Sequence, residues 1–166
     1  MMNSSPIISV MFFCLGNICR SPLAEALFRF EVQSRSLEAR FLIESSGTSA
    51  YHIGEPPDAG SVRVARRRLS LDISDQRAQQ LSREHIERFD YLVAMDRSNQ
   101  GNAQHLAGSL EQEILLLRDF EPDPALHGED VPDPWGGGPS HFDEVYDIVA
   151  RSTRELLEYI IESEGL

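Results

Sequence analysis

The run Ile7-Ile8-Ser9-Val10-Met11-Phe12-Phe13 constrains the fold of this chain more than any other feature. It is short, almost continuously apolar, and bounded by Pro6 and a glycine-containing turn, so it reads as a strand buried on both faces. A strand with no solvated face belongs in a parallel sheet with helices on either side. The rest of the chain supplies such parts. After the turn, Ser21-Pro22-Leu23-Ala24-Glu25 offers a capping hydroxyl, a proline at the first helical position and a glutamate near the third, predicting a helix to about Arg35. Phe41-Leu42-Ile43, Tyr91 to Met95 and Glu113 to Leu117 read as further strands. Asp58 to Leu69, Ser82 to Phe89 and Ser98 to Leu106 read as helices. From His141 to Ser163, Phe142, Val145, Ile148, Val149, Leu156, Leu157, Ile160 and Ile161 recur at helical spacing. Alternating strands and helices predict an α/β fold, a doubly wound sheet of four parallel strands with about five helices on its two faces. Repeats and linkers are absent, so residues 1–166 are expected to form one domain.

Two connections stand out. The small polar stretch Ser45-Ser46-Gly47-Thr48-Ser49, with Gly54-Glu55-Pro56-Pro57, predicts a long surface loop. Glu121 to Ser140, with five prolines and four glycines, is longer than ordinary connections and asks for a functional reason.

Composition then narrows the chemistry. With 41% hydrophobic residues the chain can bury a core without metal or disulfides. No leader-like segment and no apolar run of about 18 residues occurs, which predicts a soluble cytoplasmic protein without membrane insertion. Cys14 and Cys19 are too close together to staple a secreted domain and read as reduced thiols. With five scattered histidines they form no zinc spacing, so neither metal nor cofactor is expected. The net charge of -12 argues against nucleic acid as a partner. The one basic cluster, Arg66-Arg67-Arg68, reads as the solvated face of a helix. All basic residues are arginines, which excludes a Walker-type phosphate lysine and Schiff-base chemistry.

The informative segment is Cys14-Leu15-Gly16-Asn17-Ile18-Cys19-Arg20-Ser21, between the first strand and the first helix, at the carboxyl edge where ligands of parallel sheets collect. A turn wrapping back on its start can aim several backbone N–H groups at one point, and the helix N-terminus adds its positive dipole end. Gly16 and Asn17 are residue types that take left-handed backbone angles easily, and Arg20 offers a planar fork for two phosphate oxygens. In that field the arginine, the amide dipoles and the Ser21 hydroxyl favour the Cys14 thiolate, a nucleophile able to attack phosphorus. A lone strand-end cysteine would be packing, but a packing cysteine has no need of an arginine six residues later.

This segment and its continuation to Phe28 resemble the signature of the low-molecular-weight protein tyrosine phosphatases. Ser46-Gly47-Thr48-Ser49, then Gly54, Pro57 and Asp58, the strand ending Met95-Asp96, and Asp133-Pro134 are similar to the family's other landmarks in order and spacing. The resemblance implies a flavodoxin-like fold and a phosphocysteine mechanism: Cys14 attacks, Arg20 binds the phosphoryl oxygens, Ser21 supports the thiolate and Asp133 protonates the leaving oxygen. Chemistry asks for the same parts, since a phenolic oxygen leaves poorly without an acid and the thiophosphate needs a base for hydrolysis. Residues alone leave Asp123 and Asp130 as rivals of Asp133; the resemblance selects Asp133-Pro134-Trp135. It further implies that Asn17 braces the loop with Ser45 as a partner, and that Cys19 is a reversible disulfide partner of Cys14, although Cys19 can equally be packing. Tyr51 and Trp135 are expected on either side of a phenyl ring, with Ile18 in the cleft.

Two departures stand out. Gln76 and Gln79 occupy the region where many bacterial relatives carry a histidine and a second arginine, so a support of the Ser21 region is expected to differ. The single aromatic and the glycines of Asp133-Pro134-Trp135-Gly136-Gly137-Gly138 are similar to members that act on phosphoarginine, but those carry threonine where this chain has Ile18. The implied partners are therefore tyrosine-phosphorylated proteins and small aryl phosphates, with phosphoarginine as the alternative, for a monomer or weak dimer. Arsenate reduction would need two further cysteines to relay a disulfide, and a pure phosphate-binding module would need neither Cys14 nor Asp133.

Overall fold

A computed structural model describes residues 5–166. The strands β1 (Ile8–Cys14), β2 (Phe41–Gly47), β3 (Tyr91–Ala94) and β4 (Ile114–Leu116) form one parallel sheet in the order β2-β1-β3-β4. The first apolar run is thus an interior strand, as its composition requires. Val10, Phe12 and Cys14 turn to one face and Met11 and Phe13 to the other, all essentially buried. Helices α1 (Arg20–Ser34), α2 (Ala59–Leu69) and α5 (Pro139–Glu164) cover the first face. The shorter α3 (Arg83–Arg88) and α4 (Arg97–Ala107) cover the second. On the larger side Phe12 meets Phe28 edge-on at 5.3 Å between ring centres, and Phe28 meets Phe41 at 5.8 Å. Burying each such ring stabilises the fold by about 1.5–3 kcal/mol. Among the described residues no helix is long and apolar enough to cross a membrane.

Four boundaries differ from expectation, each for a local reason. β2 runs on through Ser45, Ser46 and Gly47, which pair in register with Phe12, Phe13 and Cys14. Polarity suggested a loop there, but the two serines are buried because their hydroxyls have partners inside the protein. α1 starts at Arg20 with Cys19 as its cap residue and no side-chain cap, so Ser21 is not the cap and Pro22 is the third helical residue. α5 begins at Pro139, two residues before the apolar pattern. β4 gives way at Leu117 to a 3-10 turn, Leu117–Phe120, and the long connection after it holds a second one at Pro124–Leu126.

The arginine cluster is not an unpaired solvated face. Arg67 and Arg68 bond Asp143, Arg68 also bonds Asp147 at 2.6 Å, and the Arg68 guanidinium lies 4.4 Å over the Tyr146 ring. The cluster fastens α2 to α5.

Candidate active site

The sheet order reverses at β1, whose neighbours β2 and β3 lead away on opposite sides; the crevice at the carboxyl ends of such strands is where ligands bind. Residues 14–20 leave β1 here and close into a cradle. The carbonyls of Cys14, Leu15, Ile18 and Cys19 are each held from outside, by Thr48 N at 2.8 Å, Ser49 N at 2.9 Å, Asp58 N at 2.7 Å and Ser61 Oγ at 3.0 Å respectively. In a trans peptide the N–H points opposite to the C=O, so pinning these carbonyls outward turns the following N–H groups into the cradle. The donors come from the predicted surface loop after β2, through Thr48 and Ser49, and from the start of α2, through Asp58 and Ser61; together they form an outer ring that holds the cradle's shape.

Glycine and asparagine have different jobs from those expected of them jointly. Asn17 takes the left-handed angle, φ 57°, whereas Gly16 does not. A Cβ at Gly16 would lie 2.9 Å from the His52 ring, which would have to shift to admit it. Gly47 is required by close approach to backbone: its Cβ would stand 2.7 Å from Leu15 O.

Inside, one chain of hydrogen bonds ends on the thiol. Glu25 Oε1 accepts from Ser45 Oγ at 2.7 Å, and Asn17 Nδ2 donates to Ser45 Oγ at 3.0 Å and to Ser21 Oγ at 2.8 Å. Ser21 Oγ lies 3.0 Å from Cys14 Sγ. Ser21 Oγ accepts from Asn17, and its own proton has two acceptors within reach, Cys14 Sγ and, at 3.3 Å, Ser46 O. The amide of Asn17 is oriented by Gln79 N, which donates to its Oδ1 at 3.0 Å. Gln79 thus supports the network through its backbone, while its side chain bonds Ser45 O and Glu44. Gln76 reaches Pro22 O instead.

Arg20 lies almost fully buried beneath the cradle. Its Nη1 donates to Asp96 Oδ2 at 2.6 Å and to Val131 O at 3.0 Å, and Nη2 stands 3.8 Å from Asp133 Oδ2. Burial opposes the charge, but Cys14, Asp96 and Asp133 outweigh it and raise the affinity of the guanidinium for its proton. Nε is buried with no partner among the described residues, an open donor at the site. Cys19 is buried as well; desolvation first, then Asp58, Cys14 and Asp133, push its thiol well above the ordinary range.

Cys14, Ile18, Cys19, Arg20, Tyr51, His52, Asp133 and Trp135 line a single cleft of about 210 Å3. Cys14 is the floor, 2% exposed, and Tyr51 and Trp135 are rim residues, 78% and 65% exposed. Asp133 is half-exposed on the rim side, its Oδ1 accepting from Trp135 N at 3.1 Å. The cradle residues, Tyr51, Trp135 and Asp133 therefore converge, with Ser21, Asn17 and Ser45 behind the floor, whereas the rival acids Asp123 and Asp130 do not line the cleft. Not expected at the site were the side chains of Asp96, His52 and Glu25. Asp96 had a signal: it follows β3 at the ligand edge and caps α4, accepting from Asn99 N at 2.7 Å.

Comparison with known proteins agrees with this geometry. A profile of the family described as "Low molecular weight phosphotyrosine protein phosphatase" matches residues 9–164. The chain is 38% identical over 161 residues to the low molecular weight protein-tyrosine-phosphatase YfkJ of Bacillus subtilis, covering 96% of this chain and 100% of that protein. The crystal structure of YfkJ superposes with a TM-score of 0.88 at 36% identity, over 99% of this chain and 100% of the other. A low molecular weight phosphotyrosine protein phosphatase of Saccharomyces cerevisiae is 35% identical, with 92% and 95% covered. A Drosophila arginine phosphatase matches with a TM-score of 0.82 at 28% identity, over 91% and 96% of the two chains.

Proposed function

The chain belongs to the low molecular weight phosphotyrosine protein phosphatases, and from that premise we propose that it hydrolyses protein phosphotyrosine through a phosphocysteine intermediate on Cys14. The observation that carries this reading is the single cleft in which a buried sulfur, 3.0 Å from the Ser21 hydroxyl, shares the lining with a guanidinium and a carboxyl.

In the first step the Cys14 thiolate forms an S–P bond as the bond from phosphorus to the phenolic oxygen breaks. Asp133 gives its proton to that oxygen. Arg20, with its unpartnered Nε, and the inward N–H groups bind the equatorial oxygens, where charge accumulates. In the second step water attacks phosphorus and passes a proton to Asp133; the S–P bond breaks, phosphate leaves and the thiolate returns. Both steps need the network that ends on Ser21, first to hold the nucleophile and then to stabilise it as a leaving group.

Substrate reach follows from depth. With the sulfur on the floor and Tyr51 and Trp135 at the rim, a phenyl ring spans the distance and stacks between them, whereas phosphoserine is too short. Tyrosine-phosphorylated proteins and small aryl phosphates are accordingly the substrates, and residues 1–166 act as one phosphatase domain. A thiolate nucleophile also suits a reducing, cytoplasmic setting. Phosphoarginine is the second reading, favoured by the match to the Drosophila arginine phosphatase and by the glycines at 136–138. Against it stands Ile18, a buried apolar wall in the cleft that gives a guanidinium no partner.

The test is hydrolysis of phosphotyrosine and phosphoarginine peptides side by side, with EDTA, by wild type, Cys14→Ser and Asp133→Ala. Phosphotyrosine turnover that Cys14→Ser abolishes is the expected result. Faster phosphoarginine turnover would overturn the substrate, and an active Cys14→Ser protein would overturn the mechanism.

A further inference from the structure

Behind the acid loop lies an ion cluster around a buried carboxylate that this chemistry leaves unused. Glu121, at the head of the loop, has no exposed side-chain surface. Its Oε2 accepts from Arg118 Nε at 2.8 Å and from Arg151 Nη2 at 3.0 Å, and Arg151 Nε bonds the other oxygen. Burial works against the carboxylate, and the two guanidiniums outweigh it, holding Glu121 below the usual carboxylate range. Such a cluster is a weak source of stability compared with apolar packing of the same volume.

Its geometry points to another role. With Glu121 fixing its fork, Arg118 donates through Nη1 to Asp130 O at 2.9 Å. Asp130 is also tied by Arg97 N, which donates to its Oδ1 at 2.9 Å. At the next residue, Val131 N donates to Met95 O at 2.9 Å, and Val131 O accepts from Arg20 Nη1 at 3.0 Å. The clamp therefore sets the peptide adjoining the one Arg20 holds. From there the chain passes through Pro132 to Asp133 and Pro134, two rings that lock φ and carry the orientation forward. The other side of Asp133 runs into Gly136-Gly137-Gly138, which imposes far less.

We propose that Arg118, Glu121 and Arg151 form a positioning unit for Asp133, holding its carboxyl where it protonates the leaving oxygen without themselves touching substrate. The proposal rests on Asp133 being the general acid. A misplacement of even 1 Å in such a group has a large kinetic effect.

The experiment is kcat/KM for aryl phosphates whose leaving groups run from 2,4-dinitrophenol, which departs without a proton, to phenol, which requires one. The proteins are wild type, Glu121→Gln, Asp133→Ala and the double variant. Glu121→Gln is expected to lower the phenyl phosphate value about tenfold and the dinitrophenyl value less than about twofold. In the Asp133→Ala background it should change neither by more than about twofold, because its only route to the reaction is already gone. An equal fall across the series, an undiminished fall in the double variant, or a folded Glu121→Gln protein with wild-type rates would each overturn the proposal. Should Glu121→Gln fail to fold, Arg118→Lys decides by the same criteria, since an ammonium keeps the charge but lacks the rigid fork that holds Glu121 and Asp130 O through separate nitrogens. If Asp133→Ala shows no steeper dependence on the leaving group than wild type, the acid assignment fails, and the proposal with it. A steep Asp133→Ala beside a flat Glu121→Gln removes the proposal alone.

Discussion

The cradle and the acid loop face each other across one cleft but are built on opposite principles. The cradle's functional atoms come from eight consecutive residues, 14–21, and all but Leu15 and Gly16 are buried. Many converging hydrogen bonds fix it: Ser45, anchored on the Glu25 carboxylate, with Asn17 and Ser21 within, the donors of Thr48, Ser49, Asp58 and Ser61 around the outside, and Asp96 on Arg20 beneath. The acid loop has its reactive group half-exposed and is held by charges from α5, from the 3-10 turn at Leu117–Phe120 and from Arg20. The difference matches the demands of each step. An anion site needs many dipoles converging on one point with no room to relax, whereas a proton donor needs one group at one distance and an opening through which substrate enters.

That contrast can be broken or sharpened by substitution. Cys14→Ser should lower turnover by at least about 10⁴-fold while leaving the thermal midpoint near that of wild type, read by steady-state kinetics and calorimetry. Asp133→Ala should lower phenyl phosphate turnover by about 10²- to 10⁴-fold, with stability unchanged because the carboxyl is half-exposed. If Asp133→Ala destabilised the protein as much as a cradle variant, the two regions would not differ in the way described.

Stability should separate them further. Asn17→Ala removes three side-chain bonds and puts a β-carbon residue without local compensation at φ 57°, so a loss of about 1–3 kcal/mol in denaturant unfolding is expected, with slower turnover. Trp135→Ala, at an exposed rim position, should stay within about 0.5 kcal/mol in stability and raise KM for phosphopeptides a few-fold at similar kcat. The smallest effect is alkaline. Cys19 has its folded-state pKa raised above the ordinary 9.0, so the fold holds a proton that the unfolded chain releases. That contribution is whole below pH 9, is lost as pH rises above it, and Cys19→Ser should flatten the fall of the thermal midpoint between pH 9 and 10.5. At pH 7 iodoacetamide should label Cys14 and spare Cys19, as peptide mass spectrometry would report.

What the sequence determined by itself is whatever depends on neighbours along the chain. The apolar run from Ile7 to Phe13 declared a strand buried on both faces, the 3.6-residue pattern from Phe142 to Ile160 declared α5, and Cys14-x5-Arg20-Ser21 declared a cradle, because cradle, turn and helix start are one local unit. Polarity misled where tertiary partners reversed its meaning: Ser45 and Ser46 are strand residues because Asn17, Glu25 and the Met11 sulfur satisfy their hydroxyls inside the protein. Ser21 is a helix residue for the same reason, its hydroxyl being taken by Cys14 and Asn17. Only the tertiary structure decided that Asp96 would meet Arg20 across 76 residues and that Glu121 would lie between Arg118 and Arg151. A surface carboxylate and a buried one look alike in sequence; which it becomes depends on whether folding brings cations close enough to offset its desolvation.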